Sequence, residues 1–146
     1  MASSPKPASP RRKVPDNPFL GVREQHTSEI AEDYVEVIGD LISEKGEARA
    51  VDMAKRLGVT HVTVIRTVAR LQKAGLVSTE PYRSIFLTEK GKNLAVTCKE
   101  RHQLIVRFLQ HLGVSEIVAR HDAEGIEHHV SNETLAAMKR LTDRKR

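Results

Sequence analysis

Tryptophan is absent from this 146-residue chain, aromatic residues make up 3% of it, and glycine occurs only eight times. So poor a supply of strand-packing and corner-turning residues argues against a β-sandwich or barrel and for a mainly α fold. The single cysteine, Cys98, excludes an intramolecular disulfide framework and suits a reducing compartment. No apolar run approaches the roughly 18 residues that a membrane span needs. The basic N-terminus also lacks the apolar stretch of a signal peptide, so the sequence reads as cytoplasmic, with no membrane partner. Hydrophobic residues at 39% support a modest core, in one domain or two small ones, but not that of a large enzyme. The net charge of +5 is small, so the placement of positive charge matters more than its total.

Proline is nearly confined to one end. Five of the six prolines precede residue 20, among Lys6, Arg11, Arg12 and Lys13. Such a segment cannot bury enough apolar surface to offset its ordering entropy, so residues 1–25 are expected to form a disordered basic arm.

Beyond the arm, helical periodicity begins at Thr27, with Ile30, Tyr34, Val37, Ile38, Leu41 and Ile42 on one face. A short helix over Val51 to Leu57 is followed by Gly58-Val59-Thr60. Thr60 is a good N-cap for a helix whose buried stripe is Val64, Val68 and Leu71. Two β-like runs, Leu76 to Thr79 and Ile85 to Leu87, flank the turn composition of Pro81-Tyr82-Arg83-Ser84. A long helix follows Lys90-Gly91, and shorter ones follow Gly113 and Ser131. Helix, short helix, tight turn, helix and hairpin is the order of a winged helix-turn-helix.

In that fold the third helix would meet double-stranded DNA. Thr60 and His61 lie at its N-terminus, and Thr63, Arg66 and Arg70 share a face opposite the apolar stripe. The arginines suit bidentate contact with guanine, the threonines suit phosphate or a thymine methyl, and Arg83 at the hairpin tip is placed for a wing contact.

A second constellation lies outside this module. Asp33 and Glu36 stand three apart on the first helix, where Glu29, Glu32 and Asp40 give the appearance of an ordinary charged face. In Asp122-Ala123-Glu124-Gly125-Ile126-Glu127-His128-His129, a helix would gather Glu124, Glu127 and His128 into one patch. His102, followed by Ile105 and Leu109, would lie near a buried surface. Carboxylates about 4 Å apart repel by roughly 4 kcal/mol per pair at an effective dielectric near 20, so their convergence would call for a cation. Oxygen-rich ligands with one or two imidazoles suit manganese or iron better than copper(I). Spacing alone leaves open whether these groups converge or are merely solvated.

From Thr27 to Leu135 the chain resembles the manganese-responsive branch of the diphtheria toxin repressor family, the manganese transport regulators. The resemblance rests on Glu32-Asp33-Tyr34-Val35-Glu36, Glu44-Lys45-Gly46-Glu47-Ala48-Arg49, Arg101-His102-Gln103-Leu104 and Asp122 to Val130. It implies a binuclear site on Asp33, Glu36, His102, Glu124, Glu127 and His128, holding two Mn(II) ions per subunit. Iron-sensing relatives carry Met and Cys at the positions of Asp33 and Glu124, so hard oxygen here favours Mn(II). His129 matches no ligand. The resemblance further implies a winged helix-turn-helix DNA-binding domain over 26–96, a small helical metal-binding and dimerisation domain over 97–146, and a homodimer on operator DNA that represses manganese uptake genes. No organic cofactor is implied, and the SH3-like third domain of the iron sensors has no counterpart here.

Three alternatives remain at this level. One is a winged-helix regulator sensing iron, zinc or a small organic ligand. Another is a metallohydrolase, although no His-Glu-x-x-His motif is present. A third places half a zinc site on Cys98 and His102, four apart on one helix.

Overall fold

The computed structural model describes residues 16–19, 22–80 and 84–144, and for residues 22–25 the backbone alone. Among the described residues, six helices and one hairpin follow in the order α1 (Val22–Lys45), α2 (Ala50–Leu57), α3 (His61–Lys73), β1 (Val77–Thr79), β2 (Ile85–Leu87), α4 (Glu89–His111), α5 (Glu116–Ile126) and α6 (Asn132–Thr142). The strands pair antiparallel, Val77 opposite Leu87 and Thr79 opposite Ile85. A further bridge from Ala48 to Ile85 ties the hairpin to the loop before α2.

The helix-turn-helix is set by local chemistry. Gly58 closes α2 at φ +67°, a conformation that costs a residue with a Cβ, and the Val59 N–H donates to Ala54 O at 3.1 Å. Thr60 then caps α3 by accepting from the Thr63 N–H at 3.1 Å, a contact worth roughly 1 kcal/mol. Behind the cap, Val64, Val68 and Leu71 pack with Tyr34, Val35, Ile38 and Leu41 of α1 and with Met53 of α2. A separate core of Ile105, Val106, Ala119 and Ala123 joins α4 to α5, with Leu135 and Met138 of α6 against it.

Helix α4 runs through both halves of the molecule and crosses residues 96 and 97 without a break. Its start is fixed against the hairpin. Thr88 caps it by accepting from the Gly91 N–H at 3.1 Å, and the Thr88 hydroxyl donates to Gly75 O at 2.6 Å. A Cβ on Gly91 would lie 2.0 Å from Leu76 O, so this close approach admits only glycine.

One boundary differs from expectation. α1 begins at Val22, five residues before Thr27, so residues 22–25 are helix rather than arm. His26, Thr27 and Ser28, which follow, are exposed polar residues and offer no apolar period to read. Of the rest of the expected arm, residues 1–15, 20 and 21 lie outside the described residues. No helix among the described residues is long and apolar enough to cross a membrane.

Candidate metal centre and nucleic-acid interface

α1, α4 and the C-terminal end of α5 bring acidic and imidazole groups to one junction. Asp33 and Glu36 reach it from α1, His102 from α4, Glu124 from α5, and Glu127 and His128 from the turn that ends α5. His102 Nδ1 lies 2.8 Å from Glu127 Oε2 and 3.6 Å from Glu124 Oε1. His128 Nε2 lies 3.0 Å from Asp33 Oδ1 and 3.5 Å from Glu127 Oε1. Two groups of candidate ligands result, Glu29–Asp33–His128 and His102–Glu124–Glu127, each with ligand atoms within 4.8 Å of one another. A cleft of about 510 Å³ opens beside them, lined by Glu29, Asp33, His121, Asp122, Glu124 and Gly125.

The electrostatics are those of a crowded, carboxylate-rich cluster. Glu127 has no exposed surface, and burial together with the Glu124 charge pushes its carboxyl up to about 8. Glu36 is raised to about 7 by burial and by the charges of Glu127, Glu124 and Asp33. Burial opposes a charge on His128, but hydrogen bonds to Asp33 and Glu32 outweigh it and raise the imidazole to about 10. Among the described residues, Glu36 Oε1 and Glu127 Oε1 are both buried without a hydrogen-bond partner. Orphaned carboxylate oxygens of this kind are costly unless a cation or proton completes them, and six oxygen and nitrogen donors fit a hard or borderline divalent metal.

Two residues read as surface decoration belong here. Glu29 joins Asp33 and His128, while His129 Nε2 approaches Glu29 Oε2 at 3.3 Å. Glu32 accepts from His128 Nδ1 at 2.6 Å and pairs with Arg101 Nη2 at 2.7 Å. The helical period assigns both to a charged face, because their partners lie far along the chain. Asp40 is exposed, as expected. Glu36 belongs to neither compact group, although its orphaned oxygen is buried near them.

Cys98 also joins neither group. It is buried, accepts a hydrogen bond from Arg101 Nη2 at 3.4 Å, and its thiol is pushed up to about 11 mainly by burial. A thiol this reluctant to ionise suits a core position better than half a zinc site.

On α3, Thr60, His61, Thr63, Arg66 and Arg70 are exposed, opposite buried Val64, Thr67, Val68 and Leu71. The Thr60 and Thr63 hydroxyls share a hydrogen bond of 2.9 Å, so both are partly committed to the cap. Arg70 Nη2 makes a long contact of 3.5 Å with Thr67 Oγ1. Arg83 lies outside the described residues. Val62 and Ile65 remain 58% and 50% exposed on this helix, two large apolar side chains that would suit thymine methyl groups. Their only trace in the sequence is that they fall off the buried stripe.

Residues 26–85 match the family model of the iron dependent repressor N-terminal DNA binding domain, and residues 88–145 match that of the iron dependent repressor metal binding and dimerisation domain. The chain belongs to the iron-dependent repressor family. As a member of that family it is a DNA-binding regulator and not an enzyme, which removes the metallohydrolase alternative. It is 53% identical over 126 residues to the transcriptional regulator MntR of Escherichia coli, covering 86% of this chain and 81% of that protein. It is 45% identical over 100 residues to the HTH-type transcriptional regulator MntR of Geobacillus thermodenitrificans, covering 68% and 71%. Among solved structures, a manganese-dependent transcriptional repressor in complex with manganese is similar at a TM-score of 0.70 and 28% identity, over 77% of this chain and 52% of that one. The chain thus spans about half the length of that structure.

Proposed function

We propose that this iron-dependent repressor is an Mn(II)-responsive regulator that acts as a cytoplasmic homodimer on double-stranded operator DNA and represses manganese uptake genes when metal-loaded. The observation that carries this reading is the convergence of carboxylates and imidazoles from α1, α4 and the end of α5, with two buried carboxylate oxygens left unpartnered. Asp33, Glu36, His102, Glu124, Glu127 and His128 are the metal ligands in this reading. The two compact groups of donor atoms favour two ions per subunit. Hard oxygen at Asp33 and Glu124 favours Mn(II), in keeping with the manganese-dependent relatives.

The metal supplies positive charge that lets these carboxylates sit together unprotonated. The protein's own contribution is placement. Asp33 and Glu36 extend from the DNA-binding half, residues 26–96, whereas His102, Glu124, Glu127 and His128 belong to the metal-binding and dimerisation half, residues 97–146. When both sets are satisfied at once, α1 is held against α4 and the α3 faces of a dimer keep one spacing. The metal-free dimer then samples many orientations, of which only those matching two operator half-sites bind. Leu112, Ile117, Val118 and Leu141, large apolar side chains exposed in the C-terminal half, suit a dimer interface. Thr60, His61, Thr63, Arg66 and Arg70 of the α3 region, together with Arg83, meet DNA.

Operator binding titrated separately with Mn(II), Fe(II) and Zn(II) tests this reading, with Glu124→Cys beside the unaltered protein. Mn(II) should drive binding most effectively, and the thiol should shift preference towards the softer ions. Equal responses to all three metals in both proteins would remove the selectivity claim, and no metal response at all would remove the sensor.

A further inference from the structure

Three side chains outside the six proposed ligands form a chain of contacts that ends on one of them. Cys98 Sγ on α4 accepts from Arg101 Nη2 at 3.4 Å. The same nitrogen pairs with Glu32 Oε1 on α1 at 2.7 Å, and Glu32 Oε2 accepts from His128 Nδ1 at 2.6 Å. The two oxygens of one carboxylate are thus divided between a guanidinium and an imidazole. Little water reaches them, the side chains of Glu32, Arg101 and His128 being 13%, 19% and 1% exposed.

An imidazole offers a cation only one nitrogen at a time, and which one is set by what holds the other. Here the Nδ1–H is taken by Glu32, and Nε2 is the nitrogen that faces Asp33 and Glu127. A lone carboxylate could rotate away from the ring. The short ion pair to Arg101 removes that freedom, and buried Cys98 fixes the guanidinium from behind.

We propose that Arg101 and Glu32 are positioning residues for the metal centre, Arg101 clamping the Glu32 carboxylate so that Glu32 holds the His128 ring with Nε2 turned to the cation. The inference rests on the metal-centre reading given above. Because the contacts among Arg101, Glu32 and His128 involve no cation, the ring is already oriented when metal arrives. Neither residue ligates metal, and both control its affinity through one ring.

The test uses the full chain as Arg101→Met, Arg101→Lys and Glu32→Gln, with Mn(II) affinity measured by chelator competition. Exchange of the His128 Nδ1–H with solvent is followed by NMR in the metal-free state. Arg101→Met and Glu32→Gln should each weaken Mn(II) binding by about 10- to 100-fold, and Arg101→Lys should recover part of that loss. The Nδ1–H should exchange faster in Arg101→Met and Glu32→Gln than in the unaltered protein, a change that a purely structural role would not produce. Mn(II) affinity within about two-fold of the unaltered protein in both variants, or Nδ1–H exchange unchanged in Glu32→Gln, would overturn the proposal. His128→Ala separates the two levels of inference. If it too leaves Mn(II) affinity unchanged, the metal centre itself is misassigned and the clamp falls with it.

Discussion

Asp33 Oδ1 and His128 Nε2 meet at 3.0 Å, a contact between the first helix of the DNA-binding half and the turn that ends α5. Without metal, this contact is bridged by a proton. Hydrogen bonds to Asp33 and Glu32 hold the buried His128 ring charged, with its pKa near 10. The same junction keeps a proton on Glu127, raised to about 8 chiefly by burial. A cation arriving here therefore displaces protons and compensates the mutually repelling carboxylates, so the metal response and the pH response of the molecule have one origin.

Metal-free protein should lose stability as pH rises from about 5 to about 8. Glu36 and Glu127 are raised from an ordinary value of 4.5 to about 7 and about 8, so they bind protons more tightly folded than unfolded. Their contribution is fully present below the unfolded value and disappears as pH climbs through the folded ones. His128, raised from 6.5 to about 10, adds a loss of the same sign at higher pH. Glu32, held below its ordinary value despite burial because His128 and Arg101 donate to it, acts in the opposite direction, but its contribution is lost only on acidification below 4.5. The net change should be on the order of a few kcal/mol. Denaturant titration of metal-free protein at about pH 5.5 and about pH 8 measures it, and Glu127→Gln should flatten the slope. Equal stability at both pH values would show that these carboxyls are not perturbed as the geometry requires.

Much of the fold could be read in the sequence because its determinants are local. The Thr60 cap, the Gly58 turn and the Val64/Val68/Leu71 stripe each depend on residues within one or two turns of one another. The acidic run from Asp122 to His128 was likewise legible as a patch on a single helix end. What could not be read was partnership across the chain. Glu29 and Glu32 carry the helical phase of a solvated face, and only the packing of α1 on α4 and the end of α5 turns them inward to His128 and Arg101. The early start of α1 escaped for the opposite reason, since His26, Thr27 and Ser28 lie in solvent and interrupt any apolar period before Ile30.

Arg66 should be a strong single contributor to sequence recognition among the polar residues of α3. It is exposed opposite the buried stripe, while Arg70 is drawn towards Thr67 and the Thr60 and Thr63 hydroxyls are engaged in the cap. Arg66→Ala should weaken specific operator binding by roughly 1–3 kcal/mol and relax preference at one base pair. Fluorescence anisotropy on operator and scrambled duplexes, at saturating Mn(II) and fixed salt, separates this from loss of a phosphate contact. A phosphate contact would weaken both duplexes alike and reduce the salt slope.

Operator DNA should tighten Mn(II) binding by the same factor by which Mn(II) tightens operator binding. The proposed ligands come from both halves, Asp33 and Glu36 from α1 and the others from α4 and the end of α5, so satisfying them and fixing the spacing of the α3 faces are one event seen from two sites. Thermodynamic linkage then requires equal factors, with typical coupling of about 1–3 kcal/mol corresponding to roughly 5- to 150-fold. Isothermal titration of Mn(II) into protein alone and into the protein–operator complex gives one factor. Anisotropy titration of operator with and without Mn(II) gives the other. Asp33→Ala should reduce both together, because it removes one of the two α1 ligands while leaving the α3 surface intact. If Mn(II) affinity were unchanged by saturating operator, the ions would be stabilising each subunit without setting the spacing of its DNA-binding faces.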